Sequence, residues 1–136
     1  MNTEVDVNIE IPLFSSYVPC GFPSPADDYL ESPIDLNEHL IRRPAATFFV
    51  RAKGESMVGA GIFDGDLIVI DRSIDAQHGH IVLASINGEF TLKRLIKNGV
   101  NMILQPENSK HSPIVVNEES DFKVWGVVAH SIRKHI

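Results

Sequence analysis

His80-Ile81-Val82-Leu83-Ala84-Ser85-Ile86-Asn87-Gly88-Glu89-Phe90-Thr91-Leu92-Lys93-Arg94-Leu95 is the stretch that decides the fold. Two apolar-rich runs, 80–86 and 89–95, flank Asn87-Gly88, and that dipeptide readily adopts the positive φ angles of a two-residue hairpin turn. The chain therefore doubles back, with Lys93 on the return strand. Alternation along that strand puts Thr91, Lys93 and Leu95 on one face and Phe90, Leu92 and Arg94 on the other. Working outward, residues 47–52, 67–71, 102–104 and 124–132 carry the same β signals. Asp35-Leu36-Asn37-Glu38 has capping-box spacing, with Leu36, Leu40 and Ile41 at helical intervals and Pro44 ending the pattern, which predicts one short helix. The expected fold is mostly β.

The first 33 residues read differently. Pro12, Pro19, Pro23, Pro25 and Pro33 punctuate them, and each proline pushes its predecessor out of the helical region. This predicts an extended N-terminal arm over 1–33, attached to a single domain over 34–136. Val18 and Phe22 are both so constrained, one on either side of Cys20-Gly21. An extended peptide is what a protease cleft accepts, because its backbone pairs with a sheet edge as an added strand; a disordered tail is the alternative reading of the same prolines.

Composition narrows the function classes. The chain has 136 residues, 43% of them hydrophobic, enough for one well-buried core. The net charge of -6 and the scarcity of clustered Lys and Arg argue against a phosphate-binding surface, so no direct nucleic-acid contact is expected. The longest apolar runs are far short of the roughly 20 residues that span a bilayer, and the acidic start, with Glu4, Asp6 and Glu10, is unlike a secretory signal. One cysteine makes no internal disulfide. A cytoplasmic protein without a membrane segment is expected.

Gly54-Glu55-Ser56-Met57 is the second stretch that carries chemistry. A glycine two residues before a serine lets the chain turn sharply, presenting the hydroxyl and leaving backbone N–H groups to receive an oxyanion. The competing reading is that Ser56 caps a helical turn at Met57-Val58-Gly59. Lys93 also has two readings, since most strand lysines point into water. A lysine acts as a base only when neutral, and at its ordinary pKa of ~10.4 about one amine in a few thousand is neutral at pH 7. Desolvation lowers that pKa by up to ~3–5 units, so a lysine base needs a dry pocket. Met57, Ile62, Phe63 and Leu95 are the expected walls.

Five ordered blocks then carry a resemblance: Cys20-Gly21-Phe22-Pro23-Ser24-Pro25-Ala26, Gly54-Glu55-Ser56-Met57, Gly61-Ile62-Phe63-Asp64-Gly65-Asp66-Leu67, His78-Gly79 and Gly88-Glu89-Phe90-Thr91-Leu92-Lys93. Together, with Lys93 standing 37 positions after Ser56, they resemble the UmuD branch of the LexA-like self-cleaving serine peptidases. The resemblance implies a LexA-like peptidase domain of twisted, partly closed sheets. It implies Ser56 as nucleophile, Lys93 as general base, the backbone N–H groups of Glu55 and Ser56 as oxyanion donors, and Cys20-Gly21 as the bond cut.

It further implies an SOS-response role. A RecA filament on single-stranded DNA would promote cleavage, and the shortened homodimer would join the catalytic, UmuC-like subunit of an error-prone translesion polymerase, polymerase V. A non-catalytic dimeric binding module that regulates a polymerase is the alternative. The sequence departs from the family pattern at His80, where relatives commonly carry Asp after His-Gly, and in the first ten residues. Cys20 lies 36 positions before Ser56, a tether on the order of 100 Å when extended, which admits cleavage within a subunit or between two.

Other clusters carry less. His78 and His80 would share one side of a strand, but no paired Cys or Glu completes a metal set, so neither metal nor cofactor is expected. Asp64-Gly65-Asp66 reads as a turn leading into a strand. The apolar run 124–129 is core, part of it a dimer contact by resemblance.

Overall fold

The computed structural model describes residues 9–14, 17–23 and 30–136. Ser24-Pro25-Ala26 and two of the three acidic arm residues, Glu4 and Asp6, lie outside the described residues. The chain divides into two compact units, one ending at Arg42 and the other spanning Arg43–Ile136.

In the first unit, β1 (Ile11–Phe14) pairs antiparallel with β2 (Leu30–Ile34), the register slipping between Ile11 and Leu13. Neither strand was expected, because a proline stands in each, at 12 and 33; proline is compatible with a sheet's edge, and both strands of a two-stranded sheet are edges. The predicted helix is α1 (Leu36–Leu40). Asp35 caps it, its carboxylate accepting the Asn37 N–H at 2.9 Å, which satisfies one of the donors that every helix start leaves unpaired.

The second unit is built on one open antiparallel sheet of seven strands. Its members are β3 (Thr47–Arg51), β4 (Leu67–Asp71), β5 (Ile81–Ile86), β6 (Glu89–Asn98), β7 (Asn101–Gln105), β8 (Ile114–Val116) and β9 (Phe122–Ile132). Their order across the sheet is β3-β4-β9-β5-β6-β7-β8, which leaves β3 and β8 at the edges. The strands read from sequence are all present, and β8, three residues long, is an addition. Asn87 (φ 49°) and Gly88 (φ 85°) form the expected hairpin turn between β5 and β6.

The last strand is inserted centrally. The first half of β9 pairs with β5 and the second half with β4, so the C-terminal segment joins two halves of the sheet that sequence order keeps apart. The crossing is tight at Gly126, where a Cβ would sit 2.5 Å from the Ile70 side chain and 3.2 Å from the Asp71 carbonyl oxygen. Alternation splits the core between the two faces. Leu83 packs with Ala52, Met57, Ile62, Ile68 and Ile70, whereas its neighbours Val82 and Ala84 pack with Leu95, Leu104 and Val127. Burying each such aliphatic side chain contributes about 1.5–3 kcal/mol.

The Asp64-Gly65-Asp66 turn forms, with Gly65 at φ 86°, but Asp66 does more than turn the chain. Its carboxylate is buried, accepts the Phe63 N–H at 2.9 Å and pairs with Arg133 at 3.2 Å, tying the end of the chain to this loop. Arg133 also lies over the Phe63 ring, 3.7 Å from its centroid. Burial alone would raise the Asp66 pKa, but the Phe63 N–H and the Arg133 guanidinium outweigh it and hold the carboxyl below its usual range.

Candidate active site

Ser56 sits on the loop between β3 and β4. Gly54 takes φ 89°, a left-handed conformation that favours glycine, and its N–H is held by the Asp64 carboxylate at 2.8 Å. The chain turns there and enters a single 3-10 turn, Val58–Ala60, with Met57 at the capping position before it. No side chain caps this turn, so the capping reading of Ser56 does not hold. The hydroxyl is used elsewhere.

Lys93, in the middle of β6, donates from Nζ to Ser56 Oγ at 3.0 Å, to Thr91 Oγ1 at 2.7 Å and to the Leu92 carbonyl at 3.2 Å. Thr91 and Lys93 share a side of the strand, as alternation requires. Burial pushes the Lys93 pKa below the ordinary lysine range, because removing water penalises the ammonium. A neutral amine in this position keeps two N–H bonds for Thr91 and Leu92 and points its lone pair at the Ser56 hydroxyl.

The pair opens on a cleft of about 560 Å³ whose apolar walls include Phe48, Val50, Met57, Ile62, Leu83 and Leu92. Met57 and Ile62 stand where the sequence predicts them, but Phe63 and Leu95 do not line the cleft. Phe63 faces Arg133 on the outside of the loop, and Leu95 packs with Val82, Ala84, Leu104 and Val127. Strand alternation says nothing of Phe63, which stands on the loop, and sharing a strand side with Lys93 does not bring Leu95 to the cleft. Phe90 and Trp125 form an aromatic rim, their rings 5.8 Å apart.

The N–H groups of Glu55 and Ser56 donate to no acceptor among the described residues. The carbonyls of the same residues are held. Glu55 O accepts from Asn108 Nδ2 at 2.8 Å and Ser56 O from the Glu107 N–H at 2.8 Å. Sequence reasoning missed Arg94, Glu107 and Asn108; the only signal was the turn-rich run Pro106-Glu107-Asn108-Ser109, which looks like an ordinary loop. Cys20 is exposed, its thiol directed at the Val18 carbonyl at 3.9 Å, and Gly21 is exposed beside it.

The two histidines lie before β5 rather than on a strand. His78 Nδ1 accepts the Lys97 N–H at 3.0 Å and His80 Nδ1 the Gln77 N–H at 3.1 Å. His80 thus supplies an acceptor, a task equally open to the carboxylate of the family pattern. Among the described residues no three His, Cys, Asp or Glu side chains converge on a metal-sized site, and no helix is long and apolar enough to cross a membrane.

Comparison with known proteins gives the family. Residues 12–129 match the family model described as Peptidase S24-like. The chain is 46% identical over 131 residues to Protein ImpA of Escherichia coli, covering 90% of this chain and 83% of that protein. It is 48% identical over 123 residues to Protein SamA of Salmonella typhimurium, covering 90% and 85%, and 40% identical over 126 residues to Protein MucA of Escherichia coli, covering 92% and 86%.

Proposed function

This chain belongs to the Peptidase S24-like family, with the UmuD-type SOS mutagenesis proteins, and from that premise we propose that it is a self-cleaving serine peptidase with a Ser56/Lys93 dyad. One observation carries the proposal: a partly buried lysine amine of lowered pKa stands 3.0 Å from a serine hydroxyl at an apolar cleft. A surface lysine would stay charged and useless as a base.

The chemistry runs as acyl transfer. Neutral Lys93 takes the proton from Ser56 Oγ as the oxygen attacks the Cys20 carbonyl carbon, and the N–H groups of Glu55 and Ser56 receive the developing oxyanion. The tetrahedral intermediate collapses, breaking the Cys20–Gly21 C–N bond, while the Lys93 ammonium returns the proton to the Gly21 nitrogen. Water, deprotonated by Lys93, then hydrolyses the Cys20 ester and frees Ser56. Incubating the pure protein at alkaline pH should yield a fragment beginning at Gly21. Ser56→Ala should remain folded and uncut; a Gly21 fragment from that variant would rule out Ser56 as nucleophile.

The biological reading follows the family. A RecA filament on single-stranded DNA promotes the cut, and the shortened homodimer serves a UmuC-like polymerase subunit in translesion synthesis. Loss of residues 1–20 removes Glu4, Asp6 and Glu10 and no basic residue, so the formal charge moves from -6 to -3. Less negative charge, with Leu13 and Phe14 gone, changes which partner surfaces fit. Binding of intact and shortened forms to the polymerase subunit at matched salt tests this; equal affinities would mean that cleavage does not control partner choice.

A further inference from the structure

Three hydrogen bonds join the Ser56 loop to the segment after β7. Asn108 Nδ2 donates to Glu55 O at 2.8 Å, the Glu107 N–H to Ser56 O at 2.8 Å, and the Gly59 N–H to Glu107 O at 2.7 Å. The approach is close enough that a Cβ on Gly59 would lie 2.5 Å from Glu107 O. The Glu107 carboxylate in turn pairs with Arg94, whose Nη1 also donates to Gly79 O at 2.6 Å. Arg94 follows Lys93 directly, so one short segment is bonded both to the nucleophile's loop and to the strand that bears the base.

A trans peptide is planar, and its C=O and N–H point in opposite directions. Holding the Glu55 carbonyl therefore aims the Ser56 N–H away from Asn108, and holding the Ser56 carbonyl aims the Met57 N–H in the same manner. An oxyanion donor is effective only when its direction is set before the reaction. The donor from Glu107 is backbone and independent of side-chain identity; Glu55 O also accepts the Val58 N–H of its own turn at 3.3 Å, but the shorter bond, at 2.8 Å, depends on the Asn108 amide. We propose that Asn108 is a positioning residue for acyl transfer at Ser56, its side-chain amide orienting the Glu55–Ser56 peptide so that the Ser56 N–H meets the developing oxyanion.

This inference rests on the Ser56/Lys93 reading and is tested beside it. Self-cleavage of the full chain is followed from neutral to alkaline pH for Asn108→Ala and Asn108→Asp, with melting temperatures and the rate at which an alkyl fluorophosphonate labels Ser56. The second variant keeps the shape but, once ionised, presents a carboxylate to the Glu55 carbonyl. Loss of one oxyanion donor costs ~10²–10³ in rate, so misdirecting one should lower both self-cleavage and labelling by about 10–100-fold. For Asn108→Ala the pH midpoint should stay where it is, since Asn108 makes no hydrogen bond to Lys93; the added carboxylate of Asn108→Asp favours the ammonium and moves that variant's midpoint up.

Folded Asn108 variants that cleave within about 3-fold of the unaltered chain, a difference below ~0.7 kcal/mol, would overturn the proposal. So would a rate loss of Asn108→Ala explained by a shifted midpoint, or melting of both variants below the assay temperature, which would leave Asn108 a purely structural role. If Ser56→Ala still cleaves, it is the dyad reading that fails; if Ser56→Ala is inert and the Asn108 variants are unimpaired, only the positioning role fails.

Discussion

Lys93 Nζ and Ser56 Oγ are 3.0 Å apart although 37 positions separate them in the chain. The contact joins the middle of β6 to the loop between β3 and β4, and it sets an amine beside a hydroxyl, the arrangement that the proposed dyad requires. Its surroundings give the pair a dependence on pH that can be measured.

The lowered Lys93 pKa sets the sign. Below the folded-state pKa the amine is charged and cannot accept the Ser56 proton, so self-cleavage should rise with pH and level off once Lys93 is neutral. The midpoint should fall below the ordinary lysine value of ~10.4. Lys93→Arg should be inactive throughout, because a guanidinium stays protonated. A pH-independent rate, or an active Arg variant, would remove Lys93 as the base.

Thr91 accepts from Lys93 Nζ at 2.7 Å and so helps to direct the lone pair. Thr91→Val keeps the branched shape and deletes the acceptor. A lost hydrogen bond of ~0.5–1.5 kcal/mol corresponds to a plateau rate lower by about 2- to 10-fold. The midpoint should also move down, since the ammonium loses an acceptor that had favoured it. An unchanged pH–rate profile would show that Thr91 does not act on Lys93.

Gly21 is exposed, and a Cβ there meets nothing within 4 Å. Gly21→Glu should therefore leave the melting temperature unaltered. Cleavage should stop, because the new carboxylate would have to leave water at an apolar cleft beside the reacting bond. Cleavage of this variant at an undiminished rate would mean that the scissile bond lies elsewhere than directly after Cys20.

Gly126 is a packing constraint rather than a catalytic one. Gly126→Ala would press a methyl group against Ile70, which is fully buried and has little room to shift. Overpacking of this kind costs about 1–3 kcal/mol. Urea denaturation should show a lower midpoint at constant slope, and a variant as stable as the parent would mean that β9 can shift relative to β4.

Local patterns in the sequence were sufficient for most of the strands, the Asp35-capped helix and the Asn87-Gly88 turn, because each is a matter of backbone propensity within a few residues. The left-handed Gly54 before Ser56 was legible for the same reason. Strand pairing across the sheet was not: the insertion of β9 between β4 and β5 brings together residues 36 to 65 positions apart, and no short-range signal encodes that choice. The Asp66–Arg133 pair follows from it, which is why Asp66 read as a turn residue. The position of Asn108 against Glu55, 53 residues away, likewise depends on how β7 returns beside the loop. Residue types and turns settled what chemistry was available to this chain, whereas burial and long-range backbone pairing decided that Lys93 loses part of its water, that Phe63 turns outward and that the Ser56 loop is held from behind.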